Sequence, residues 1–335
     1  MAERDGPGDS ADAEERGDSG GAFDYDVAVV GGGPAGCSAG VFTAREGLST
    51  VVFDRGRSSL KRCAHLENYL GFPAGIDVET LYNLFHAHAE TAGCTLVSDM
   101  VTTVDRADGA GFAVELQEGD PVTARRVVAA TRYDGTYLQG LDGDAMIETN
   151  EHHGEEHERF ARDYADRDGT TPVDGLYVAS PSAGADRQAI LAAARGARAG
   201  RRIVADARRG DGWWESVAED VDWVRREAEL DDEWTDRERW VEWFDERYAA
   251  DAPVDTDSER YRQVREAAVE HVRSAYIDPD EIEERAEQGQ EALAAHLDAE
   301  AVVDGVGERA LLEAIDDDAI RSHVEAGETP SGDGV

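Results

Sequence analysis

The sequence predicts an α/β fold with a central parallel sheet, followed by an acidic helical C-terminal region. Three observations carry this prediction. A strand, a glycine-rich turn, a helix and a second strand follow one another between residues 25 and 54. Strand and helix patterns then alternate to about residue 140. After Gly210 the chain becomes more acidic, with apolar and aromatic residues at helical spacing.

The first element carries the glycine fingerprint G-x-G-x-x-G, at Gly31, Gly33 and Gly36. In a Rossmann-type domain the first glycine permits a tight turn, the second lets the backbone approach a diphosphate, and the third lets helix and strand pack closely. The helix that begins at Pro34 and Ala35 directs its free N–H groups toward that diphosphate. We therefore predict a dinucleotide site at these five residues; a purely structural turn is the alternative.

The second strand ends in an acid, Asp54. A carboxylate at this place can accept a hydrogen bond from a ribose 2′-hydroxyl, whereas it would repel a 2′-phosphate. The fingerprint therefore favours FAD or NAD over NADP.

The remaining elements of the domain follow in order. The loop SSLKRCAHLENYLGFPAG precedes an amphipathic helix, which we predict over residues 78–92. LVSDMVTTVDR and GFAVELQE resemble strands, and ARRVVAAT is predicted to return to the central sheet. DGLYVAS is a further buried-strand pattern, and the small residues of AILAAARGARAGRRIVADARR predict a helix that packs tightly on the sheet.

The region after residue 210 is predicted to be helical. All six tryptophans lie between Trp213 and Trp243, and WTDRERWVEWFDERY has aromatic residues at helical spacing. Such aromatic faces belong to a core or to a docking surface more often than to a cofactor site. We favour docking against the nucleotide domain.

The net charge of −41 excludes several classes of partner. So acidic a surface repels nucleic-acid phosphates and anionic membrane faces. Lys61 is the one lysine among 33 basic residues. We attribute the charge to life in molar salt, where the Debye length falls to about 3 Å, and it carries no information about activity.

The cysteines and the apolar runs indicate a soluble cytoplasmic protein. Cys37, Cys63 and Cys94 form no C-x-x-C pair, which fits a reducing compartment. The first 22 residues have no apolar signal core, and no run approaches the length of about 18 apolar residues that a membrane span needs.

Several separated motifs resemble the FAD domain of thioredoxin-reductase-like flavoproteins, over roughly residues 23–141 and 168–205. They are HLENYLGFP, VVAATRYDGTYLQGL, and TTPVDGLYVAS with DRQAILAAARGARAG. The resemblance implies FAD as the cofactor, with Asn68 beside the isoalloxazine ring. It also implies that the helix start at Arg187, Gln188 and Ala189 faces the flavin pyrimidine, and it places Thr131 in the turn that leaves the domain.

The sequence departs from that family in four ways. Only residues 142–168, predicted to be an acidic loop, stand where the family has a nicotinamide domain, and no second fingerprint occurs. The family's redox C-x-x-C is absent. The usual Gly-Asp at the end of the closing strand is replaced by Ser180 and Pro181, so that one flavin contact is lost. The usual Ala-Thr-Gly turn ends in Arg132, a bulky cation at a place close to the cofactor.

Two further groups of residues could carry chemistry. Cys63 and His65 precede Asn68 in the loop that the resemblance places at the flavin, and either could exchange protons there; an ordinary loop thiol and a hydrogen-bonded histidine are the favoured interpretation. His152, His153 and His157 could hold a metal, but we predict none. Cys37 and Cys94 are predicted to be buried and inert.

We therefore predict a FAD-binding domain over residues 23–210 and a helical region over 211–325, between disordered tails at 1–22 and 326–335. The predicted function is that of a FAD-dependent oxidoreductase. Its electrons would come from NAD(P)H or a partner protein and pass to a small-molecule or protein acceptor. The alternative is a non-catalytic nucleotide-binding or regulatory module that kept the fold. A homodimer is one option for its assembly.

Overall fold

The computed structural model describes residues 23–132, 135–152, 155–180, 188–220, 224–228 and 232–327. The strands in this part are β1 Tyr25–Val30, β2 Thr50–Phe53, β3 Thr95–Val97, β4 Val101–Arg106, β5 Phe112–Leu116, β6 Val122–Ala130, β7 Ile147–His152, β8 Glu155–Phe160, β9 Leu176–Ser180, β10 Arg226–Glu227 and β11 Tyr276–Ile277.

The helices in the same part are α1 Pro34–Arg45, α2 Val78–Thr91, α3 Gln139–Asp142, α4 Ala189–Gly210, α5 Glu215–Ala218, α6 Asp232–Thr235, α7 Arg237–Tyr248, α8 Glu259–Arg273, α9 Pro279–Ala294, α10 Ala299–Val306, α11 Glu308–Ala314 and α12 Asp317–Gly327. Short 3₁₀ turns occur at Ser59–Arg62, Thr136–Leu138, Gly143–Met146 and Ala249–Asp251.

The central sheet is parallel in the order β3-β2-β1-β6-β9. Its middle strands are short apolar runs buried on both faces, as parallel strands between two layers require. Val27, Val29, Val51 and Val128, for instance, are all fully buried. The predicted fold class, an α/β domain of the Rossmann type with a central parallel sheet, is confirmed.

Antiparallel strands extend this sheet on one side. The first half of β6 pairs with β5, and β5 pairs with β4. This places Val104, Phe112 and Val114 in one buried cluster with the β6 residues Ala124 and Val127. Both strand-like runs predicted from the sequence are therefore strands, and LVSDMVTTVDR is divided into β3 and β4.

Helices α1 and α4 cover the face of the sheet that is opposite the cluster of Val104 and Phe112. The two helices lie very close to each other. A Cβ on Gly196 would lie 1.9 Å from the Ala35 carbonyl oxygen, and one on Gly200 would lie 2.8 Å from Phe42 Cβ. The small residues of α4 therefore allow backbone-to-backbone contact with α1. This contact fixes the position of the glycine turn at the start of α1.

The segment that replaces the expected inserted domain is not a loop throughout, so that part of the prediction is wrong. β7 and β8 form an antiparallel hairpin in which Ile147 pairs with Phe160. Met146 and Phe160 at its base are buried in the same cluster as the antiparallel strands. An apolar anchor at each end of the acidic stretch is what holds the hairpin to the domain.

The tryptophan-rich region packs mainly on itself, whereas we predicted that its aromatic face docks on the nucleotide domain. Its aromatic residues form a separate core, in which Trp214 stacks on Tyr261 with ring centroids 5.5 Å apart and Phe244 is fully buried. Trp223 lies outside the described residues. One link to the nucleotide domain is made by Arg208 of α4, whose Nη1 donates to the Asp220 carbonyl oxygen at 3.2 Å.

The described helices include none that is long and apolar enough to cross a membrane.

Candidate functional site

A cavity of about 600 Å³ opens at the carboxyl ends of the parallel strands. The last residues of β1, β2, β6 and β9 (Val30, Phe53, Ala130 and Ser180) all line it. Ligands of open parallel sheets bind at this edge, and the volume lies within the range of about 300–1,000 Å³ that is usual for cofactor sites.

The glycine turn forms one wall of the cavity. Gly31 has a φ of 115°, and a Cβ there would lie 2.6 Å from the Ala130 carbonyl oxygen. Gly36 does not line the cavity; a Cβ on it would lie 1.7 Å from the Gly31 carbonyl oxygen. Gly36 therefore permits helix α1 to start close against the turn, as its place in the fingerprint predicts.

Helix α1 presents an open N-terminus to the cavity. Gly33 is its N-cap, no side chain of the described residues caps it, and Pro34 occupies the first turn. Gly33, Pro34 and Ala35 all line the cavity. Free N–H groups at a helix N-terminus bind phosphate, so this wall is suited to a diphosphate.

Gly32 is a further constrained glycine that the fingerprint does not include. A Cβ there would lie 2.5 Å from Asp54 Cβ. The Gly32 carbonyl accepts a hydrogen bond from the Cys37 thiol, with the sulfur 3.3 Å away. The run Gly31-Gly32-Gly33 in the sequence was the signal that could have identified this constraint.

Asp54 is held from helix α2, by residues that the sequence analysis did not identify. Tyr82 donates its hydroxyl hydrogen to Asp54 Oδ2 at 2.5 Å, and Asp54 Oδ1 accepts from the Gly56 N–H at 3.1 Å. His86 Nε2 lies 3.5 Å from Oδ2 and 3.0 Å from the Gly32 carbonyl oxygen. Burial and the adjacent Asp54 carboxylate raise the pKa of Tyr82, so its phenol stays protonated and donates.

The far wall of the cavity brings together two segments that the resemblance placed at the flavin ring. Asn68 Nδ2 donates to Gln188 Oε1 at 2.6 Å, across 120 residues of sequence. Gln188 is the N-cap of α4, and Ala189 is its first residue. Asn68, Gln188 and Ala189 line the same cavity as the glycine turn, whereas Arg187 lies outside the described residues.

Two of the departures noted in the sequence lie in this cavity. Arg132 has a φ of 67°, the left-handed conformation that glycine adopts without strain, and its Nη1 donates to Ser59 Oγ at 2.8 Å. Ser180 is buried at the end of β9, and Pro181 lies outside the described residues. Thr131 also lines the cavity, with its hydroxyl 3.4 Å from that of Tyr137.

The cavity is much less acidic than the chain. Its lining includes four arginines, Arg55, Arg57, Arg132 and Arg195, and three acids, Asp54, Glu67 and Asp99. In the whole chain acids outnumber basic residues by 74 to 33. This local excess of guanidinium groups was missed from the sequence, because only the fold brings the four positions together.

Cys63 and His65 both line the cavity and are exposed. His65 Nε2 lies 3.3 Å from the Ala74 carbonyl oxygen, which is the hydrogen-bonded role favoured from the sequence. Cys37 and Cys94 are buried, and burial raises the pKa of their thiols to about 12 and about 11. Both therefore remain protonated, in agreement with the predicted inert role.

The three histidines considered as metal ligands, His152, His153 and His157, have no described side chains. His153 itself lies outside the described residues. Within the described residues no group of three or more His, Cys, Asp or Glu side chains is arranged to hold a metal ion.

Comparison with known proteins finds relatives of the segment that carries the glycine turn, Asp54 and Asn68. Residues 25–175 match the family model described as pyridine nucleotide-disulphide oxidoreductase. The thioredoxin reductase of Bacillus subtilis is 33% identical over 108 residues, which are 32% of this chain and 33% of that protein. The thioredoxin reductase of Streptomyces coelicolor is 37% identical over 82 residues, which are 24% of this chain and 26% of that protein.

A thioredoxin reductase structure from Gloeobacter violaceus aligns with a TM-score of 0.46 and 18% identity, over 61% of this chain and 98% of that one. The family model and the curated relatives, and not this structural likeness, support the resemblance. The chain spans a third or less of the length of these curated relatives. The predicted resemblance to thioredoxin-reductase-like, FAD-dependent oxidoreductases is confirmed within residues 25–175. FAD is the cofactor of the proteins that this segment resembles.

Proposed function

We propose that the domain over residues 23–210 binds FAD in the cavity described above and that the protein is a flavin-dependent oxidoreductase. One observation carries the proposal. A single cavity is lined at one wall by the glycine turn and at another by the hydrogen-bonded pair Asn68 and Gln188. A site for ADP alone would need only the first wall.

The residues present fit this cofactor. The uncapped N-terminus of α1 and the turn at Gly31 leave room and N–H donors for the diphosphate. Asp54, oriented by Tyr82 and the Gly56 N–H, is placed to accept from a ribose hydroxyl. Oδ2 accepts from Tyr82 and Oδ1 accepts from the Gly56 N–H, so the orientation of the carboxylate is fixed.

The flavin itself supplies the hydride or electron transfer when bound, and the protein orients and tunes it. Asn68 and Gln188 fix each other, so each amide presents a set orientation to the cavity. The N-terminus of α4, which begins after Gln188, would stabilise negative charge at the edge of a reduced ring. Cys63 and His65 lie along this wall and are candidates to exchange a proton there.

Electron donor and acceptor come from outside the chain in this proposal. Between residues 142 and 168 the sequence has room for the β7–β8 hairpin rather than for a nicotinamide domain. No C-x-x-C occurs that could act as an internal redox disulfide. The donor is therefore a diffusible NAD(P)H or a partner protein, and the acceptor is a small molecule or a protein.

A non-catalytic nucleotide-binding module is the second candidate, and two departures from the family favour it. Ser180 and Pro181 stand where the family has Gly-Asp, whose carboxylate would hold the ribityl chain, and Arg132 brings a large side chain into the cavity. Retention of the Asn68–Gln188 pair favours the enzyme, because an ADP-binding module has no use for contacts at the ring end.

The visible spectrum of the protein purified in molar salt tests the proposal. We expect flavin absorption bands, or their appearance after incubation with FAD and removal of the unbound cofactor. Anaerobic bleaching by NADH or NADPH then separates an enzyme from a binding module. A protein that stays colourless and takes up no added FAD would refute the proposed function.

A further inference from the structure

Arg132 is the one non-glycine residue of the described chain with a positive φ, 67°. Left-handed backbone at a residue with a Cβ is strained, and such strain persists where the surrounding structure or a function requires it. Glycine would adopt this conformation freely. An arginine at this place therefore calls for a role of its side chain.

The guanidinium of Arg132 is hydrogen-bonded to the loop that approaches the start of α1. Its Nη1 donates to Ser59 Oγ at 2.8 Å, across 73 residues of sequence. The preceding residue, Ser58, approaches the N-cap of α1, since a Cβ on Gly33 would lie 3.2 Å from Ser58 Oγ. The side chain of Arg132 thus reaches the loop that touches the open N-terminus of α1.

The backbone leading to Arg132 lies at the glycine turn. A Cβ on Gly31 would lie 2.6 Å from the Ala130 carbonyl oxygen and 3.4 Å from the Thr131 nitrogen. Arg132 also lines the same cavity as Gly33, Pro34 and Ala35 at the start of α1. A ligand seated at the start of α1 therefore shares this cavity with the Arg132 side chain.

We propose that Arg132 is a diphosphate-binding residue: positioned by Ser59, its guanidinium binds the diphosphate of a dinucleotide seated on the glycine turn. This inference rests on the proposed function, which identifies the dinucleotide as FAD. A guanidinium presents paired N–H donors that match two phosphate oxygens, and such direct contacts persist in molar salt, where longer-range attraction is screened. The backbone strain at residue 132 is the cost of placing this cation.

Two substitutions separate the charge of Arg132 from its backbone conformation. Arg132→Gly removes the cation and the strain, whereas Arg132→Asn removes the cation but keeps a residue that tolerates left-handed backbone. Arg309→Gln is the matched control, because it removes one positive charge from a side chain on α11 that is 92% exposed.

The dissociation constants for ADP and for FAD are measured by calorimetry in about 1 M KCl, where the Debye length is about 3 Å. We expect both Arg132 variants to bind ADP and FAD about 10- to 100-fold more weakly than the wild type, and the control to bind as the wild type does. The thermal midpoint of ligand-free Arg132→Gly should be unchanged or higher by up to about 4 °C. Weaker binding without lower stability is the signature of a ligand contact, since a structural role would lower both.

The possible outcomes distinguish a failure of the inference from a failure of the proposed function. Unchanged ADP and FAD affinity in Arg132→Asn overturns the diphosphate role and leaves the proposed function standing. A wild type that binds ADP through Arg132 but does not bind FAD refutes the proposed function and leaves the diphosphate role intact. A wild type that binds neither ligand refutes both.

Discussion

The nucleotide domain and the C-terminal region achieve burial in opposite ways. In the nucleotide domain, glycine and alanine bring backbones together, and a Cβ on Gly196 would meet the Ala35 carbonyl oxygen at 1.9 Å. In the C-terminal region, large rings fill the space, with Trp214, Phe244 and Tyr261 in mutual contact. Backbone packing positions N–H groups for a ligand, whereas ring packing supplies burial and no comparable set of free donors.

The last helices of the C-terminal region bury still less. None of the described side chains of α9, α10 or α11 is buried. The first turns of α9 and α10 are closed instead by Asp278 and Asp298, whose side chains accept from backbone N–H groups. Local capping and ion pairs one turn apart, such as Arg285 with Glu281, thus stand in this stretch where a core is lacking.

The largest effect should follow the addition of one methyl group in the nucleotide domain. Gly36→Ala places a Cβ 1.7 Å from the Gly31 carbonyl oxygen, so helix α1 must move away from the turn. We expect a loss of about 4 kcal/mol or more in the free energy of unfolding, measured by urea titration, with loss of nucleotide binding.

Gly289→Ala in α9 is the matched control, because a Cβ there meets nothing within 4 Å. It should stabilise its helix by about 0.5–1 kcal/mol. If both substitutions had small effects, the contrast between the two regions would be lost.

A substitution that creates a large cavity in the aromatic core tests whether the two regions are energetically separate. Phe244 is fully buried, so Phe244→Ala should cost about 3–5 kcal/mol in the C-terminal region. Since the aromatic core excludes the cavity residues, we expect an unchanged dissociation constant for ADP and an earlier unfolding transition of the tryptophan fluorescence. A parallel loss of ADP affinity would show that the regions are coupled.

Tyr82→Phe tests the support of Asp54 within the nucleotide domain. The substitution removes the hydroxyl that donates to Asp54 Oδ2 and keeps the ring in its cluster. We expect a loss of about 1–2 kcal/mol in stability and ADP binding weakened about threefold to tenfold. Tyr276→Phe, in the aromatic region, should leave ADP affinity unaltered; equal effects of both would argue against a positioning role of Tyr82.

The smallest expected effect is the pH dependence of stability that arises from His271, whose Nε2 lies 3.3 Å from Arg208 Nη2 at the link between the regions. Burial, together with the nearby Arg208, lowers the pKa of His271, although Glu46 acts in the opposite direction. Since the folded-state pKa lies below the unfolded value of about 6.5, the neutral form is favoured by folding and stability is lost as the pH falls below that value. Urea titrations from pH 7.5 to 5.5 should show a loss that is smaller in His271→Gln; an identical pH dependence would exclude His271 as its source.

The sequence alone determined the local geometry of the nucleotide domain. The order of glycines specified a tight turn and a close helix because only residues without a Cβ fit there, and the apolar runs specified buried parallel strands. The same reasoning failed for the acidic stretch before β9, where one apolar residue at each end of the hairpin outweighs the polar residues between them.

Only the tertiary structure decided which distant residues meet. The Asn68–Gln188 pair, the support of Asp54 by Tyr82 and the four arginines of the cavity depend on how loops and the helices α2 and α4 lie over the sheet edge. The sequence also could not decide whether the tryptophans dock or form their own core, because helical spacing defines an apolar face but not the surface it packs against. Short-range steric rules can be read along a chain, whereas long-range pairing is settled by the packing of the whole fold.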